Sequence, residues 1–439
     1  MYEAACSRIG SVLSELGKHI DTGLFGRPVI LCNTLSWERA EWIKTDGRWV
    51  YAAVPSIGYS VADASVDMQY PGLTASPDAL ENDLLKVSFN ADGSITSIFD
   101  KSCSREIVES GRKANLLTVY RDEGDAWDFR MDYADQPKRY LELLSVEPYT
   151  DGPRASIIQT FRIGYSQVVQ EIALYAGSKR IDFRAKAVWR EADSMLRTSF
   201  PLDIHAEQAN FEIQFGHIRR NTHRNTSWDL AKDEVPAHKW VDLSQGDYGV
   251  ALLNDCKCGH KVKGNTIDLN LVRSVVFPDP NPFDTADVRP GQPNERYTDQ
   301  CDYIFNYALY LHCGEHIAGG VIHAGYEFNI PLYVIPTDRC RRAFLPSRKS
   351  FISLDNGNVI IEAVKRAEDS EAVVVRLYEA SHSGVKTGIT FGVDIESIFE
   401  AGLLEEEIMP VDLAGNRAVL NFRPFEIKTL VVHLKKNPV

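Results

Sequence analysis

From position 28 to the C-terminus, this sequence is a succession of short segments in which apolar and polar residues alternate, with turn residues between them. A period of two places the apolar side chains on one face of an extended strand. The clearest case is 80–101, LENDLLKVSFNADGSITSIFDK, where two such segments flank a turn at 90–93 whose glycine can adopt a positive φ. Many short strands without intervening helices predict a mainly β chain built from large antiparallel sandwiches.

Further strands are predicted at 29–32, 42–44, 49–54, 155–163, 168–175, 181–189, 211–215, 250–253, 266–276, 303–312 and 320–326. A long loop is predicted at 278–300, which is rich in Pro and Asp. The Pro- and Arg-rich stretch 331–346 predicts a domain boundary, after which alternation resumes from 351 in a small all-β terminal domain.

The first twenty residues differ, because their apolar residues recur at spacings of three and four, as in an amphipathic helix: Ile9, Val12, Leu13, Leu16 and Ile20. Gly23, Gly26 and Pro28 predict where this helix stops. A single helix cannot bury its own apolar stripe, so we expect it to be the last helix of a helical domain whose remainder precedes it.

The composition of the chain limits which partners and which cellular location are expected. Hydrophobic residues make up 44% and charged residues 25%, which is ordinary for a globular protein. With 48 basic and 61 acidic residues the formal net charge is −13, which argues against nucleic-acid or anionic-membrane partners. The N-terminus lacks the pattern of a secretory signal and eight cysteines are spread thinly, so we expect free thiols and a cytoplasmic location.

One short segment has the residue types of a metal site. Cys256, Cys258 and His260 lie within five positions, but structural zinc sites usually separate paired cysteines by two or more residues and need a fourth ligand. A turn with incidental cysteines is therefore the favoured interpretation. Neither a phosphate-binding loop nor a serine-nucleophile motif is present, and we predict no metal or cofactor in this chain.

Two polar stretches are candidates for ligand binding. Residues 122–129, DEGDAWDF, surround a Trp with carboxylates, which suits a sugar whose hydroxyls need acceptors and whose ring face stacks on an aromatic. The alternative is a solvated turn with a core Trp. Residues 215–240 concentrate His, Arg, Asn and Trp, and either line a pocket or form a structural hydrogen-bond network.

In their order along the chain, many segments resemble the C-terminal part of the retaining α-mannosidases of glycoside hydrolase family 38, particularly its bacterial and cytosolic branch. They include VILCNTLSWER, LENDLLKVSFNADGSITSIFDK, GDAWDF, LYAGSKRIDF, FEIQFGHIRRNTHRNTSWD, YGVALLNDCKCG, LNLVRS, FNYALYLH and NFRPFEIKTL. The resemblance implies a bundle helix at 1–26, a small β-domain at 27–76, a large galactose-mutarotase-like antiparallel supersandwich at 77–336 and a small β-sandwich at 337–439.

The resemblance also implies a division of labour. In the family, zinc and the catalytic Asp nucleophile belong to an N-terminal catalytic domain, whose motifs this sequence does not contain. The chain is therefore expected to carry no catalytic residue, to be inactive alone, and to need its own N-terminal domain and an α-mannoside oligosaccharide as partners. A homo-oligomer is compatible with the sequence.

By the same resemblance, Trp127, Asp128 and Arg273 are predicted to face the substrate, with His223 and Arg224 as further candidates. The chain departs from the family after LNLVRS, where 284–303 is longer than the usual acidic loop, and no residue role is carried into that loop. Two other functions stay open: a stand-alone carbohydrate-binding module, and an aldose-epimerase-like enzyme using the His217 and His223 region as acid and base.

Overall fold

The computed structural model describes residues 2–124, 127, 130–276, 291–294, 296–340 and 343–435. Strands make up 53% of the structure and helices 7%, and every ladder between strands is antiparallel. The predicted class, mainly antiparallel β with an N-terminal helix, is therefore confirmed. The chain divides into two compact units: a first unit of 1–69, 214–216 and 330–439, and a second unit of 70–213 and 217–329.

The N-terminal part of the first unit contains one helix and four strands. They are α1 (Tyr2–Gly17), β1 (Pro28–Asn33), β2 (Arg39–Thr45), β3 (Arg48–Val54) and β4 (Gly58–Asp63).

The central part of the chain contains the next twenty strands and two helices among the described residues. The strands are β5 (Thr74–Ser76), β6 (Ala79–Glu81), β7 (Leu85–Phe89), β8 (Ile95–Asp100), β9 (Arg105–Glu106), β10 (Thr118–Arg121), β11 (Arg139–Tyr140), β12 (Glu142–Asp151), β13 (Arg154–Ile163), β14 (Ser166–Tyr175), β15 (Arg180–Val188), β16 (Ser194–Pro201), β17 (Gln208–Ile213), β18 (Gly216–Asn221), β19 (Val235–Pro236), β20 (Trp240–Gln245), β21 (Tyr248–Asn254), β22 (Gly259–Lys263), β23 (Thr266–Ser274) and β24 (Asp302–Cys313). The helices are α2 (Ser227–Leu230) and α3 (Val321–Asn329), and a 3₁₀ turn lies at Tyr133–Asp135.

The C-terminal part of the first unit contains the remaining strands. They are β25 (Tyr333–Pro336), β26 (Arg348–Ser350), β27 (Ile352–Leu354), β28 (Val359–Arg366), β29 (Val373–Glu379), β30 (Val385–Phe391), β31 (Ile395–Ala401), β32 (Glu407–Pro410), β33 (Leu413–Ala414), β34 (Arg417–Phe422) and β35 (Ile427–Leu434).

In the first unit, strands from both ends of the chain share one sheet. β1 lies in the order β25-β1-β4-β26, so the segment around 330–350 pairs with the N-terminal strands, and β2 and β3 form a separate hairpin. The terminal domain consists of two further sheets, β27-β30-β34-β33 and β28-β29-β35-β31-β32, with one apolar cluster between them.

In the second unit, three antiparallel sheets enclose one large apolar core. Their strand orders are β5-β6-β7-β8-β9, then β11-β10-β16-β23-β22-β19, and finally β12-β13-β14-β15-β24-β21-β20-β17-β18. The hairpin predicted at 80–101 is confirmed as β7 and β8, and Gly93 in its turn has a φ of 82°. The six-stranded sheet buries one face in this core, while its other face carries polar side chains.

One polar group of side chains lies within the core of the second unit. The Tyr307 hydroxyl donates to Asn115 Oδ1 at 2.7 Å and accepts from Gln170 Nε2 at 2.5 Å. Asn115 Nδ2 donates to Gln170 Oε1 at 2.7 Å, and Thr198 Oγ1 donates to Asn115 Oδ1 at 3.0 Å. Burial without partners would be costly, so this closed network fixes how the two larger sheets face each other.

Two predictions about helices need correction. The N-terminal helix is confirmed, but it ends at Gly17 rather than near Gly23, because Ile20 enters a parallel bridge with Leu345. The strand predicted at 320–326 is wrong, since Val321–Asn329 is the helix α3. Its buried Val321 and Ala324 follow the helical spacing of three and pack on the outer face of the nine-stranded sheet. No helix of the described residues is both long and apolar enough to cross a membrane.

Candidate functional site at one edge of the six-stranded sheet

Strand order brings three separate chain segments to one edge of the six-stranded sheet. β16 lies between β10 and β23, and Ser194 pairs with both Arg121 and Ser274. Since neighbouring strands are about 4.8 Å apart, residues just after β10, just before β16 and at the end of β23 must meet there. We call this group, Asp122, Asp193, Arg273 and Tyr297, the strand-end cluster.

The centre of the strand-end cluster is an ion pair. Arg273 Nε donates to Asp122 Oδ2 at 2.6 Å, and Nη2 lies 3.4 Å from Oδ1. The Asp122 side chain is only 1% exposed, whereas that of Arg273 is 19% exposed. A two-point contact of this kind holds the guanidinium plane in one orientation. The backbone of Arg273 is held as well, because its carbonyl accepts from Thr298 Oγ1 at 2.9 Å.

A second carboxyl group lies beside this pair. The backbone N–H of Asp122 donates to the Asp193 carbonyl at 2.9 Å, and the Tyr297 hydroxyl lies 3.4 Å from Asp193 Oδ2. Burial, together with the negative charges of Glu123 and Asp122, raises the pKa of Asp193 above its ordinary value. Asp193 has a φ of 46° in the turn that enters β16. The edge therefore holds a buried carboxylate already paired with Arg273, and a partly buried carboxyl that holds a proton more readily.

Trp127 follows β10 by six residues and is 82% exposed. This exposure excludes the interpretation of Trp127 as a core residue, and it agrees with an indole ring that is open to solvent. Asp128, the neighbouring candidate, lies outside the described residues, as do 277–290 of the long loop after β23. The structure thus brings Arg273 and the segment before Trp127 to the same edge, although they are far apart in sequence.

Chemically, the edge combines the groups that recognise a polyol. Carboxylate oxygens accept hydrogen bonds from hydroxyls, guanidinium and phenol groups donate them, and an exposed indole presents an apolar face. Sequence reasoning included Asp122 only as one of the carboxylates in 122–129, and it did not single out Asp193. The available signal was their position, since each is an acidic residue directly flanking an apolar strand.

His223 and Arg224 lie elsewhere. Arg224 Nη2 donates to the Val262 carbonyl at 3.0 Å, and Val262 pairs with Ile267, six residues before Arg273 on β23. At 3.3–3.4 Å per residue this places Arg224 about 20 Å from Arg273 along the sheet. His223 belongs to the same loop after β18 as Arg224, and its Nδ1 lies 3.7 Å from Asp229 Oδ2.

The contacts of Arg224 are structural. Its Nε donates to Asp233 Oδ1 at 2.8 Å, and its Nη1 donates to the carbonyls of Asn221 and His223. Asp233 also pairs with Lys261, so Arg224 ties the loop after β18 to the polar face of the sheet. Of the two interpretations of 215–240, these contacts favour the hydrogen-bond network, and the substrate role of His223 and Arg224 stays a prediction.

The same face carries a further buried charge pair. Arg197, with a side chain 2% exposed, lies 3.0 Å from Glu234, and its guanidinium stacks 5.6 Å from the Tyr133 ring centre. The Tyr133 hydroxyl donates to Glu234. On the neighbouring strand, burial raises the pKa of Asp268 to about 6, although the Arg197 charge opposes this. These contacts join Arg197, Glu234 and Tyr133 in one network in the middle of the face.

Two other sequence candidates are enclosed. The Nε2 atoms of His217 and His316 lie 3.2 Å apart, and both residues are buried, at 8% and 2% exposure. Such burial does not support His217 as an acid or base reaching a substrate. His260 is fully buried and its Nδ1 lies 3.1 Å from the Cys258 carbonyl. Among the described residues no three His, Cys, Asp or Glu side chains are arranged to hold a metal ion.

Comparison with known proteins gives consistent matches. A model of the "Glycosyl hydrolases family 38 C-terminal domain" matches residues 80–281, and one of the "Glycosyl hydrolases family 38 C-terminal beta sandwich domain" matches 358–430. The chain is 33% identical to alpha-mannosidase 2C1 of Mus musculus, over 100% of this chain and 43% of that protein. It is 35% identical to alpha-mannosidase G of Dictyostelium discoideum, over 81% of this chain and 32% of that protein.

Among solved structures, an alpha-mannosidase from Enterococcus faecalis V583 covers 96% of this chain, and this chain covers 58% of it. The TM-score is 0.74 at 14% identity, which shows a shared fold. The chain spans less than half the length of these curated relatives, so the matches concern one part of larger proteins.

Proposed function

Because the chain belongs to glycosyl hydrolase family 38, as the C-terminal part of its members, we propose that it is the C-terminal β-sandwich region of an α-mannosidase. In this proposal the complete enzyme hydrolyses terminal α-D-mannosides with retention, through a carboxylate nucleophile outside this chain. This chain forms one wall of the substrate site and has no turnover alone. Relatives that carry the name alpha-mannosidase over the whole length of this chain support the substrate class.

The observation that carries the proposal is the strand-end cluster. The family match at 80–281 includes three of its members, and the exposed Trp127 follows one of them, Asp122, by five residues. Arg273, held in one plane by Asp122, would donate to hydroxyls of the mannoside, while the indole of Trp127 would cover an apolar sugar face. Asp193, whose pKa is raised by burial, would exchange hydrogen bonds with a hydroxyl group in either direction.

The expectation of zinc comes only from membership of the family. The described residues of this chain do not fit a metal ion, because they contain no suitable group of three ligands. We therefore derive no step of the chemistry through a metal held by this chain, and propose that zinc belongs to another part of the complete enzyme.

The test uses the purified chain with a chromogenic α-mannoside and with mannobiose. We expect no turnover, and we expect Trp fluorescence or amide signals of the strand-end cluster to respond to mannobiose. Turnover that survives chelation and repeated purification would contradict the proposed division of labour. A response that is unchanged after Arg273→Met would contradict the proposed contact.

A carbohydrate-binding role without catalysis is the second function, and one observation favours it. A cavity of about 390 Å³ in the second unit is lined by Asp92, Ser94 and Lys113 and by the ring of Tyr140, which is 55% exposed. Polar groups beside an aromatic ring suit a sugar. If Tyr140→Ala abolishes mannobiose binding while Arg273→Met does not, this second function replaces the first.

A further inference from the structure

A cleft in the first unit contains none of the residues of the strand-end cluster. It has a volume of about 490 Å³ and opens where β1 begins and β4 and β25 end, next to the turn between β2 and β3. Its polar lining residues include Arg27, Thr45, Asp46, Arg48, Asp338 and Arg339. We call it the arginine cleft, because three guanidinium groups from three separate chain segments converge on it.

Backbone contacts hold two of these arginines in place. Arg48 Nη1 lies 3.4 Å from the Ala64 carbonyl, and Arg339 Nε donates to the Gly26 carbonyl at 3.2 Å. Arg27 is positioned through its backbone, whose N–H donates to Asp63 Oδ1 at 2.9 Å. The three backbone segments are therefore fixed relative to one another by β-pairing and by these hydrogen bonds, and two of the guanidinium groups are tied to backbone carbonyls of the cleft.

The neighbouring carboxylate of Asp63 is engaged by other donors and makes no ion pair with these guanidinium groups. Asp63 accepts from the Ser65 hydroxyl and from the backbone N–H groups of Gly26, Arg27 and Ser65. The Ser65 hydroxyl, with these backbone donors, holds the pKa of Asp63 well below its ordinary value although burial opposes them, so the carboxylate is ionised but already saturated. Its hydrogen-bonding capacity is used in shaping the cleft.

Among the described residues, no ion pair within 4 Å involves Arg27, Arg48 or Arg339. This is unusual in a chain of net charge −13, where acidic partners are abundant. The three arginines outnumber the two carboxylates that line the cleft, Asp46 and Asp338, so the lining has a net positive charge that favours an anion. Guanidinium groups are also the donors that match phosphate oxygens in geometry.

We propose that the arginine cleft binds a small phosphorylated ligand, with the phosphate held by Arg27, Arg48 and Arg339. Asp46 and Asp338, which also line the cleft, would accept hydrogen bonds from hydroxyls of the same ligand. A sugar phosphate combines both features, and free inorganic phosphate has the first alone. This inference concerns the first unit only and does not depend on the proposed mannosidase role.

The experiment is a calorimetric titration of the full chain with inorganic phosphate, mannose 6-phosphate and mannose. We expect saturable binding of a phosphate-bearing ligand that weakens in high salt. Each of Arg48→Gln and Arg339→Gln should weaken it by about tenfold or more, because each removes a charged hydrogen-bond donor. Both side chains are exposed, so we expect the variants to fold, and circular dichroism verifies this.

Arg112→Gln is the matched control, since Arg112 is an exposed arginine that pairs with Glu109 in the second unit. Its binding should equal that of the wild type. Tighter binding of mannose 6-phosphate than of phosphate identifies a sugar phosphate as the ligand, and equal binding identifies the free anion. The proposal is overturned if no phosphate-bearing ligand binds up to roughly 10 mM, or if the two cleft variants bind as the control does.

Discussion

Replacing Arg273 by Met leaves the Asp122 carboxylate without its cation. Asp122 is 1% exposed, so water cannot take over the lost contacts, and removal of one partner of a buried pair costs about 3–5 kcal/mol. The reverse change, Asp122→Asn, leaves Arg273 with a 19% exposed side chain that reaches solvent. We expect this change to cost about 1–2 kcal/mol, close to the loss of one charged hydrogen bond. We therefore predict that Arg273→Met lowers the free energy of unfolding more than Asp122→Asn does.

Arg130 and Asp132 provide a control with similar geometry and different burial. Arg130 Nε and Nη2 donate to the two Asp132 oxygens at 2.8 and 2.7 Å, but both side chains are about half exposed, at 53% and 48%. Arg130→Met should change the free energy of unfolding by less than about 1 kcal/mol, because solvent screens an exposed pair.

The assay is urea-induced unfolding followed by Trp fluorescence and circular dichroism. Trp189 and Trp240 are buried in the second unit and report on the unit that contains both ion pairs. Trp37, Trp42 and Trp49 belong to the first unit and contribute to the same emission, so the curves are fitted with a separate transition for each unit rather than as one two-state process. If Arg273→Met and Arg130→Met cost the same, or if Asp122→Asn costs more than Arg273→Met, the burial argument for this pair is refuted.

Three further changes test the fold. Tyr307→Phe should cost about 1–3 kcal/mol, because it leaves a buried amide donor without its acceptor, whereas Tyr165→Phe, at a ring 65% exposed, should be nearly neutral in the same unfolding assay. Gly93→Ala should destabilise the protein more than Gly177→Ala. Both glycines have a positive φ, of 82° and 72°, but a Cβ at Gly93 would lie 2.9 Å from the Phe161 ring, whereas one at Gly177 would meet nothing within 4 Å. Equal melting temperatures of the two variants would contradict this prediction. Burial lowers the pKa of His316 to about 4, so its contribution of about 3 kcal/mol is present above pH 6.5 and is lost as the pH falls towards 4. A His316→Gln variant should show a flatter pH dependence of stability, and an unchanged slope would contradict the assignment.

The strands of this fold were predictable where their alternation is strong. The hairpin β7–β8 is an example, because both its segments alternate and Gly93 supplies the positive φ of its turn. The helix α3 was not predicted, since its short run of Val321, Ile322 and Ala324 beside two glycines satisfies strand and helix patterns equally in sequence. Packing against the nine-stranded sheet decides between them, and that information is non-local.

The site was predictable only in part, for a similar reason. Arg273 was singled out only through the resemblance of LNLVRS to the family, and its partner Asp122 is 151 residues away and comes to it only through the order β10-β16-β23. Arg224 has the same residue type and a similar polar neighbourhood in sequence, yet its contacts with Asp233 and with backbone carbonyls give it a structural position. Residue type indicates which chemistry is available, and sheet order decides which groups share a site.

The central claim is that the strand-end cluster faces the mannoside. Its most direct test is the kcat/KM of the complete gene product on a chromogenic α-mannoside, measured for Arg273→Lys and for Arg130→Lys. Lysine keeps the positive charge and loses the two-point fork, so we predict that Arg273→Lys lowers kcat/KM by about tenfold or more with the fold retained, while Arg130→Lys has no effect. Equal kcat/KM values for the two variants would contradict the account.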